Sequence, residues 1–288
     1  MKSTIPTSSK LLNVGCGKVF ETHWTNIDIA PSDSSIISLN AASHLPFAND
    51  TFSVVYNSAF IEHLATDEAT RFVRECFRVM EPGGIIRIGT PDMEQLCRLY
   101  LDRLEKTSTN EAYAGEYDWM VIEIQDQCAR DSSGGRMLEF MVDHPTPCTD
   151  FIRSRIGPEY DLIMSSVQRH PPDAKYVVHQ ASTMRRLLRS MKRTIASYLL
   201  GDDYMDALKI GRFRQSGEIH HWLYDRFSLA RLLRQAGFQS PIPQTARTSG
   251  IADWAQYHLD ITETDLVRKP DLFFMEATKP HQESGAQT

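Results

Sequence analysis

Leu11-Leu12-Asn13-Val14-Gly15-Cys16-Gly17 is the stretch from which the rest of this chain can be read. An apolar run feeding a Gly-x-Gly turn is how a buried strand of an open α/β sheet ends beneath the polar end of a ligand. Gly15 and Gly17 can take positive φ and let a ligand approach backbone that a Cβ would otherwise shield. Such a turn is expected to present bare backbone N–H groups. A plain strand-to-turn glycine pair has the same sequence, so the segments that follow carry the argument.

Residues 25–29 (TNIDI) read as a second strand with Asp28 near its tip and Pro31 just beyond. Residues 35–39 form a short third strand and 52–57 (FSVVYN) a fourth. A helix over 67–80 places Ala69, Phe72, Val73, Cys76, Phe77 and Met80 on one stripe, and Glu81-Pro82-Gly83-Gly84 stops it. A fifth strand covers 85–88. Strands alternating with helices or tight crossovers predict a mostly parallel sheet with helices on both faces. Only eight residues separate Gly17 from Asn26, too few for a crossover helix, so the first link shrinks to a turn or a loop.

The pattern changes after Asp92. Residues 93–104, 119–130 and 180–200 read as helical, with turn clusters at 131–135 and 143–147 and no strand alternation. A helix at 227–236, ended by Gly237, and a strand at 271–277 then restore the α/β pattern. The chain divides accordingly into a sheet domain, 1–92 with 218–288, and a mainly helical insertion, 93–217, capping the sheet's carboxyl edge. The polar tail, 280–288, is expected to fray.

A net charge of −6 argues against a nucleic-acid backbone as the main ligand, because phosphates call for a basic surface. The basic stretch 185–193 (RRLLRSMKR) carries its apolar residues at helical spacing and reads as a solvated helix face. The five cysteines are scattered without a CxxC, which fits reduced thiols in a cytoplasmic protein. MKSTIPTSSK has no apolar core of a signal peptide, and no run of about 18 apolar residues exists, so no membrane partner is expected.

Asp28 suits the two hydroxyls of a ribose. It lies 11 residues after Gly17, whereas a dinucleotide fingerprint spaces its acid about 20 residues on, and Phe20 stands where a third glycine would be. NAD and FAD are therefore disfavoured. Four stretches in this order, LLNVGCG (11–17), TNIDI (25–29), LPFANDTFSVVYNSAFIEHL (45–64) and RVMEPGGIIRIGTPD (78–92), resemble the class I S-adenosylmethionine-dependent methyltransferases, in their type 11-like branch. The resemblance is close over 10–92, looser over the last 70 residues and absent between.

The resemblance implies a Rossmann-like fold with S-adenosyl-L-methionine across the carboxyl ends of the first four strands. The backbone of Asn13, Val14, Gly15, Cys16 and Gly17 would hold its methionine part and Asp28 its ribose. Ile29 would pack on the adenine, with Asn40 and Ala41 at the adenine edge. Asn57 and Ser58 would meet the ammonium and carboxylate, and His63 would lie near the transferring methyl. Asn40 stands where the family commonly has an acid, which shifts that contact, and Ser53 stands where the strand-four motif has Asp.

Methyl transfer needs an aligned nucleophile, a dry site and often a base. His63 is one base candidate. The other is the cluster His220, His221 and Tyr224, with Trp222 between; His63 could instead pack or cap its turn, and the cluster could instead be a histidine-aromatic helix entry packed on the core. No metal site is expected, since adjacent histidines point apart and no third ligand is evident. Glu123, Gln127 and Arg130 share one helix face that could line a hydrophilic pocket or simply be solvated. Arg153 and Arg155 would point the same way from an extended segment. The expected activity is methylation of an oxygen or nitrogen on a small polar or sugar-type acceptor, whose pocket the insertion shapes. Asn57-Ser58-Ala59-Phe60 lacks the Asn-Pro-Pro-Tyr pattern of nucleic-acid amino-methylating enzymes, and a homodimer is left open. The alternatives are use of the donor's other carbons, in aminopropyl transfer or cyclisation, and a catalytically inactive binding protein of the same fold.

Overall fold

The computed structural model describes residues 10–143, 148–169 and 201–281. Seven strands form one sheet in the order β3-β2-β1-β4-β5-β7-β6. They are β1 (Leu11–Val14), β2 (Thr25–Asp28), β3 (Ile37–Ser38), β4 (Phe52–Ser58), β5 (Met80–Pro91), β6 (Gln239–Gln244) and β7 (Leu272–Thr278). The first five run parallel, and β7 lies antiparallel between β5 and β6. The order turns back between β1 and β4, which opens a crevice at their carboxyl ends where open α/β sheets take their ligands.

The apolar runs of β1 and β4 follow from burial on both faces. On one face α1 (Thr66–Val79) presents Phe72, Val73 and Cys76 to the core, beside Leu229 and Leu233 of α8 (Arg226–Ala236). Asp225 caps α8 by accepting from the N–H groups of Phe227 and Ser228, and Gly237 ends it at φ 106°. The opposite face is covered by Trp24, Tyr56, Ile251 and Trp254, the last from a 3₁₀ turn (Trp254–Tyr257), so the helical cover is heavier on one side.

The short link after Gly17 holds no helix. Two buried asparagines take over its backbone bonding. Asn13 Nδ2 donates to Val19 O and to Asn26 Oδ1, and Asn26 Nδ2 donates to the carbonyls of Glu21 and Trp24.

Between β5 and α8 the described elements are α2 (Met93–Thr109), α3 (Ala114–Ala129), α4 (Gly135–Asp143), α5 (Thr149–Ile156), α6 (Glu159–Arg169) and α7 (Asp202–Arg214). Residues of α2 to α6, including Leu96, Trp119, Phe140 and Ile156, build a core of their own. Helix α3 starts at Ala114, five residues earlier than its periodicity suggests. Arg153 and Arg155 lie on helix α5, which corrects the extended reading. At a spacing of two on a helix the side chains diverge: Arg153 is exposed and pairs with Asp161, while Arg155 is buried against Glu123. Strand β6 (QSPIPQ) has no counterpart in the sequence reading, because two prolines on an edge strand erase the alternation. The helix expected at 180–200, the basic stretch 185–193, positions 144–147 and the tail from 282 lie outside the described residues. Among the described residues no helix is long and apolar enough to cross a membrane.

Candidate active site

Gly15 and Gly17 both take positive φ, 66° and 56°. A Cβ on Gly15 would stand 2.5 Å from the Phe60 ring, whereas one on Gly17 would meet nothing within 4 Å. Gly15 is therefore demanded by packing, and Gly17 leaves a clear approach over the strand tips. The turn does not offer bare N–H groups, contrary to expectation. The N–H groups of Gly15 and Cys16 donate to Ile27 O, and that of Gly17 donates to Asp28 Oδ2 at 2.8 Å. With no helix behind the turn, the neighbouring strand satisfies these donors. Burial, reinforced by the Asp28 charge, pushes the Cys16 thiol up to about 12, so it stays protonated.

Asp28 Oδ1 accepts from Ala30 N, which fixes its carboxylate at the tip of β2, where it is only partly covered. Ile29 beside it is 69% exposed, an apolar side chain presented at the same edge. Asn40 is exposed and its Oδ1 is held by Ala42 N, while Ala41 is buried. At the end of β4, Asn57 is fully buried and neither amide atom has a partner; Ser58 follows it at the rim. Leaving such a group unpaired is costly. A partly covered carboxylate, an exposed isoleucine, an uncovered glycine and an orphaned amide thus gather along the strand tips.

Next to these tips lies a cavity of about 410 Å³. Its walls come from the turn after β4 (Ala59, Glu62, His63), from α3 and α4 (Gln127, Arg130, Met137) and from His220, Lys269 and Asp271. The segment before α8 threads between two of these walls. His220 N donates to Gln127 O and His221 N donates to Glu62 O. Adjacent side chains in this extended run diverge: His220 faces the cavity, whereas His221 and Trp222 are exposed. Tyr224 is buried with its backbone pinned to the end of β5, and burial, then the Glu62 charge, push its phenol up to about 12.

The two base candidates of the sequence thus meet. The His63 and His220 rings lie edge to face with centroids 4.7 Å apart. His63 Nδ1 donates to Ile219 O at 3.1 Å; because a carbonyl only accepts, this fixes the tautomer and leaves Nε2 bare. Burial lowers the His63 pKa, and burial followed by the neighbouring His63 brings His220 down to about 2, so both imidazoles stay neutral. Glu62, assigned no role from sequence, completes the group. It is fully buried, takes a hydrogen bond from Thr90 on Oε2 at 3.2 Å and has no partner on Oε1. Its carboxyl is pushed up to about 7 by burial. Of the α3 stripe, Gln127 and Arg130 line the cavity, while Glu123 turns instead to Arg155 at 2.7 Å.

Residues 12–88 match the family model for a methyltransferase domain. A probable S-adenosylmethionine-dependent methyltransferase of Mycolicibacterium smegmatis is 46% identical over 50 residues, 17% of this chain and 19% of that protein. The matched stretch thus spans about a fifth of that curated relative. Among solved structures, a SAM-dependent methyltransferase of Thermotoga maritima aligns with a TM-score of 0.36 and 13% identity, over 96% of this chain and 83% of its own. Phosphoethanolamine N-methyltransferase 2 of Haemonchus contortus aligns at 0.35 with 9% identity, over 98% of this chain and 50% of its own. The family-model match runs from β1 into β5, over the strands whose tips carry Gly15, Asp28 and Asn57.

Proposed function

We propose that this protein is an S-adenosylmethionine-dependent methyltransferase acting on an oxygen or nitrogen of a small polar acceptor. The observation that carries the reading is the adjacency of two sites: strand tips suited to a nucleoside, and a cavity of about 410 Å³ beside them, lined by both polar and apolar side chains. S-adenosylmethionine, when bound, supplies an electrophilic methyl group on a sulfonium.

Asp28 holds the ribose hydroxyls, Ile29 lies against the adenine near Asn40 and Ala41, and Asn57 and Ser58 meet the amino-acid end. The donors at Gly15, Cys16 and Gly17 being satisfied internally, the turn contributes shape and carbonyl oxygens. In the cavity the neutral imidazoles of His63 and His220 present unprotonated nitrogen to an acceptor's hydroxyl or amine, fixing the orientation of its lone pair. Gln127 and Arg130 at the end of α3 and Met137 and Met141 of α4 wall the acceptor's side of the cavity. Glu62, Gln127, Arg130, Lys269 and Asp271 supply polar contacts among Met137, Leu138, Met141, Ile156 and Ile163, which suits a small acceptor with a polar reacting group on an apolar body.

Titration calorimetry with S-adenosylhomocysteine tests the donor half. Wild-type protein is expected to bind one equivalent. Asp28→Ala should lose about 1–3 kcal/mol of affinity, the cost of stranding the ribose hydroxyls. Equal affinity in the two proteins removes Asp28 from the site.

A further inference from the structure

We infer that Glu62, His63 and His220 form a binding site for one divalent transition-metal ion at the floor of the cavity. Each offers one ligand atom, and these atoms all lie within 4.8 Å of one another. A first-row cation bound at about 2.0–2.2 Å from nitrogen and carboxylate oxygen draws such a group together by small side-chain rotations. Two imidazoles and one carboxylate are a ligand set suited to zinc, iron, manganese or cobalt. Calcium and magnesium prefer all-oxygen shells.

Three independent features point to a ligand here. Glu62 Oε1 is wholly buried and has no hydrogen-bond partner. His220 Nδ1 is likewise buried and unpartnered. His63 donates its Nδ1–H to the Ile219 carbonyl, the outer-shell bond by which metal-binding histidines are oriented, and this leaves Nε2 free to ligate. Thr90 steadies the other carboxylate oxygen in the same way. The ion would face the open cavity, so it keeps positions for water or for an acceptor's oxygen or nitrogen. Its use on an acceptor rests on the methyl-transfer reading; its binding does not. The site replaces the sequence expectation of no metal, because two ligands, Glu62 and His63, come from the turn after β4 and none from the neighbours of His220.

The test uses tag-free, full-length protein stripped with a chelator. Zn²⁺ is titrated by calorimetry, and Co²⁺ is followed by its visible absorption. Wild-type protein is expected to take up one equivalent of Zn²⁺, to show cobalt bands of a nitrogen–oxygen site and to melt at higher temperature with Zn²⁺ than without. His220→Asn and Glu62→Gln should each weaken binding on the order of 100-fold and abolish the cobalt bands. His221→Asn, on the exposed neighbour, should bind like wild type. Absence of uptake by wild-type protein, or equal uptake by all three variants, overturns the site. Should a variant fail to fold, the cobalt spectrum of wild-type protein decides: bands without nitrogen ligation also overturn it. S-adenosylhomocysteine is titrated into the same samples. Metal uptake without nucleoside binding sustains the metal site while overturning the donor site.

Discussion

Glu62 carries more consequence than any residue singled out from the sequence. A carboxyl with no exposure and one unpaired oxygen resists ionisation, which raises its pKa from 4.5 to about 7. The folded state therefore binds this proton more tightly than the unfolded chain. Below pH 4.5 both states hold it and stability is unaffected; as pH rises to 7 and beyond, folding must tolerate a buried charge. In metal-free protein Glu62→Gln should thus be stabilising at pH 8 by about 3 kcal/mol, from 2.5 pKa units at 1.36 kcal/mol each. Urea unfolding at pH 8 and pH 4.5 checks this, with the gain vanishing at the lower pH. A gain that is the same at both values removes the buried charge as its cause. His63 and His220 act in the other direction: their lowered pKa values remove stability as pH falls below about 6.5 and the unfolded imidazoles take protons. None of this was legible in the sequence. Glu62 sits in a motif whose histidine drew attention, and a carboxylate's burial depends on what the fold lays over it.

At the scale of elements, local chemistry wrote the sheet domain plainly and the inserted helices poorly. Strands β1 and β4 carry apolar runs, β1 gives way to Gly15 and β2 ends at Asp28, and α8 announces itself by Asp225 before it and Gly237 after it. The prolines of β6 hid a strand that exists because β7 offers it a partner. The meeting of His63 with the segment at Ile219, 156 positions away, follows from tertiary packing that no local pattern encodes. Among the described helices α2 to α6, a buried ionic tie runs through the apolar core. Arg155 of α5 pairs with Glu123 of α3 at 2.7 Å, also contacts Gln95 of α2, and Glu123 accepts from the Trp119 indole. Side chains this buried cannot be left alone. Arg155→Ala should destabilise by about 3–5 kcal/mol by stranding the Glu123 charge, and Arg155→Met with Glu123→Leu should recover much of that loss. Chemical denaturation of the single and double variants measures both. A double variant as unstable as the single would mean that packing, not charge, binds α5 to α3.

Across the whole molecule, the sheet supplies the edge proposed to hold the nucleoside, and α3 and α4 supply one wall of the adjoining cavity. The C-terminal part closes the arrangement. Arg87 at the centre of β5 is fully buried, pairs with Asp260 and Glu276 and lies 4.7 Å from the centroids of Trp254 and Phe274. Lys269 and Asp271, which border the cavity, follow on the same stretch of chain. The proposed methyl transfer uses the strand tips for the donor, the cavity for the acceptor and the histidine pair that lines that cavity. A crystal structure of the protein with S-adenosylhomocysteine tests this most directly. The account predicts the ribose hydroxyls on Asp28, the adenine against Ile29, and the sulfur facing the cavity on the side of His63 and His220. A nucleoside bound away from Asp28, or a sulfur turned from the histidine pair, would contradict it.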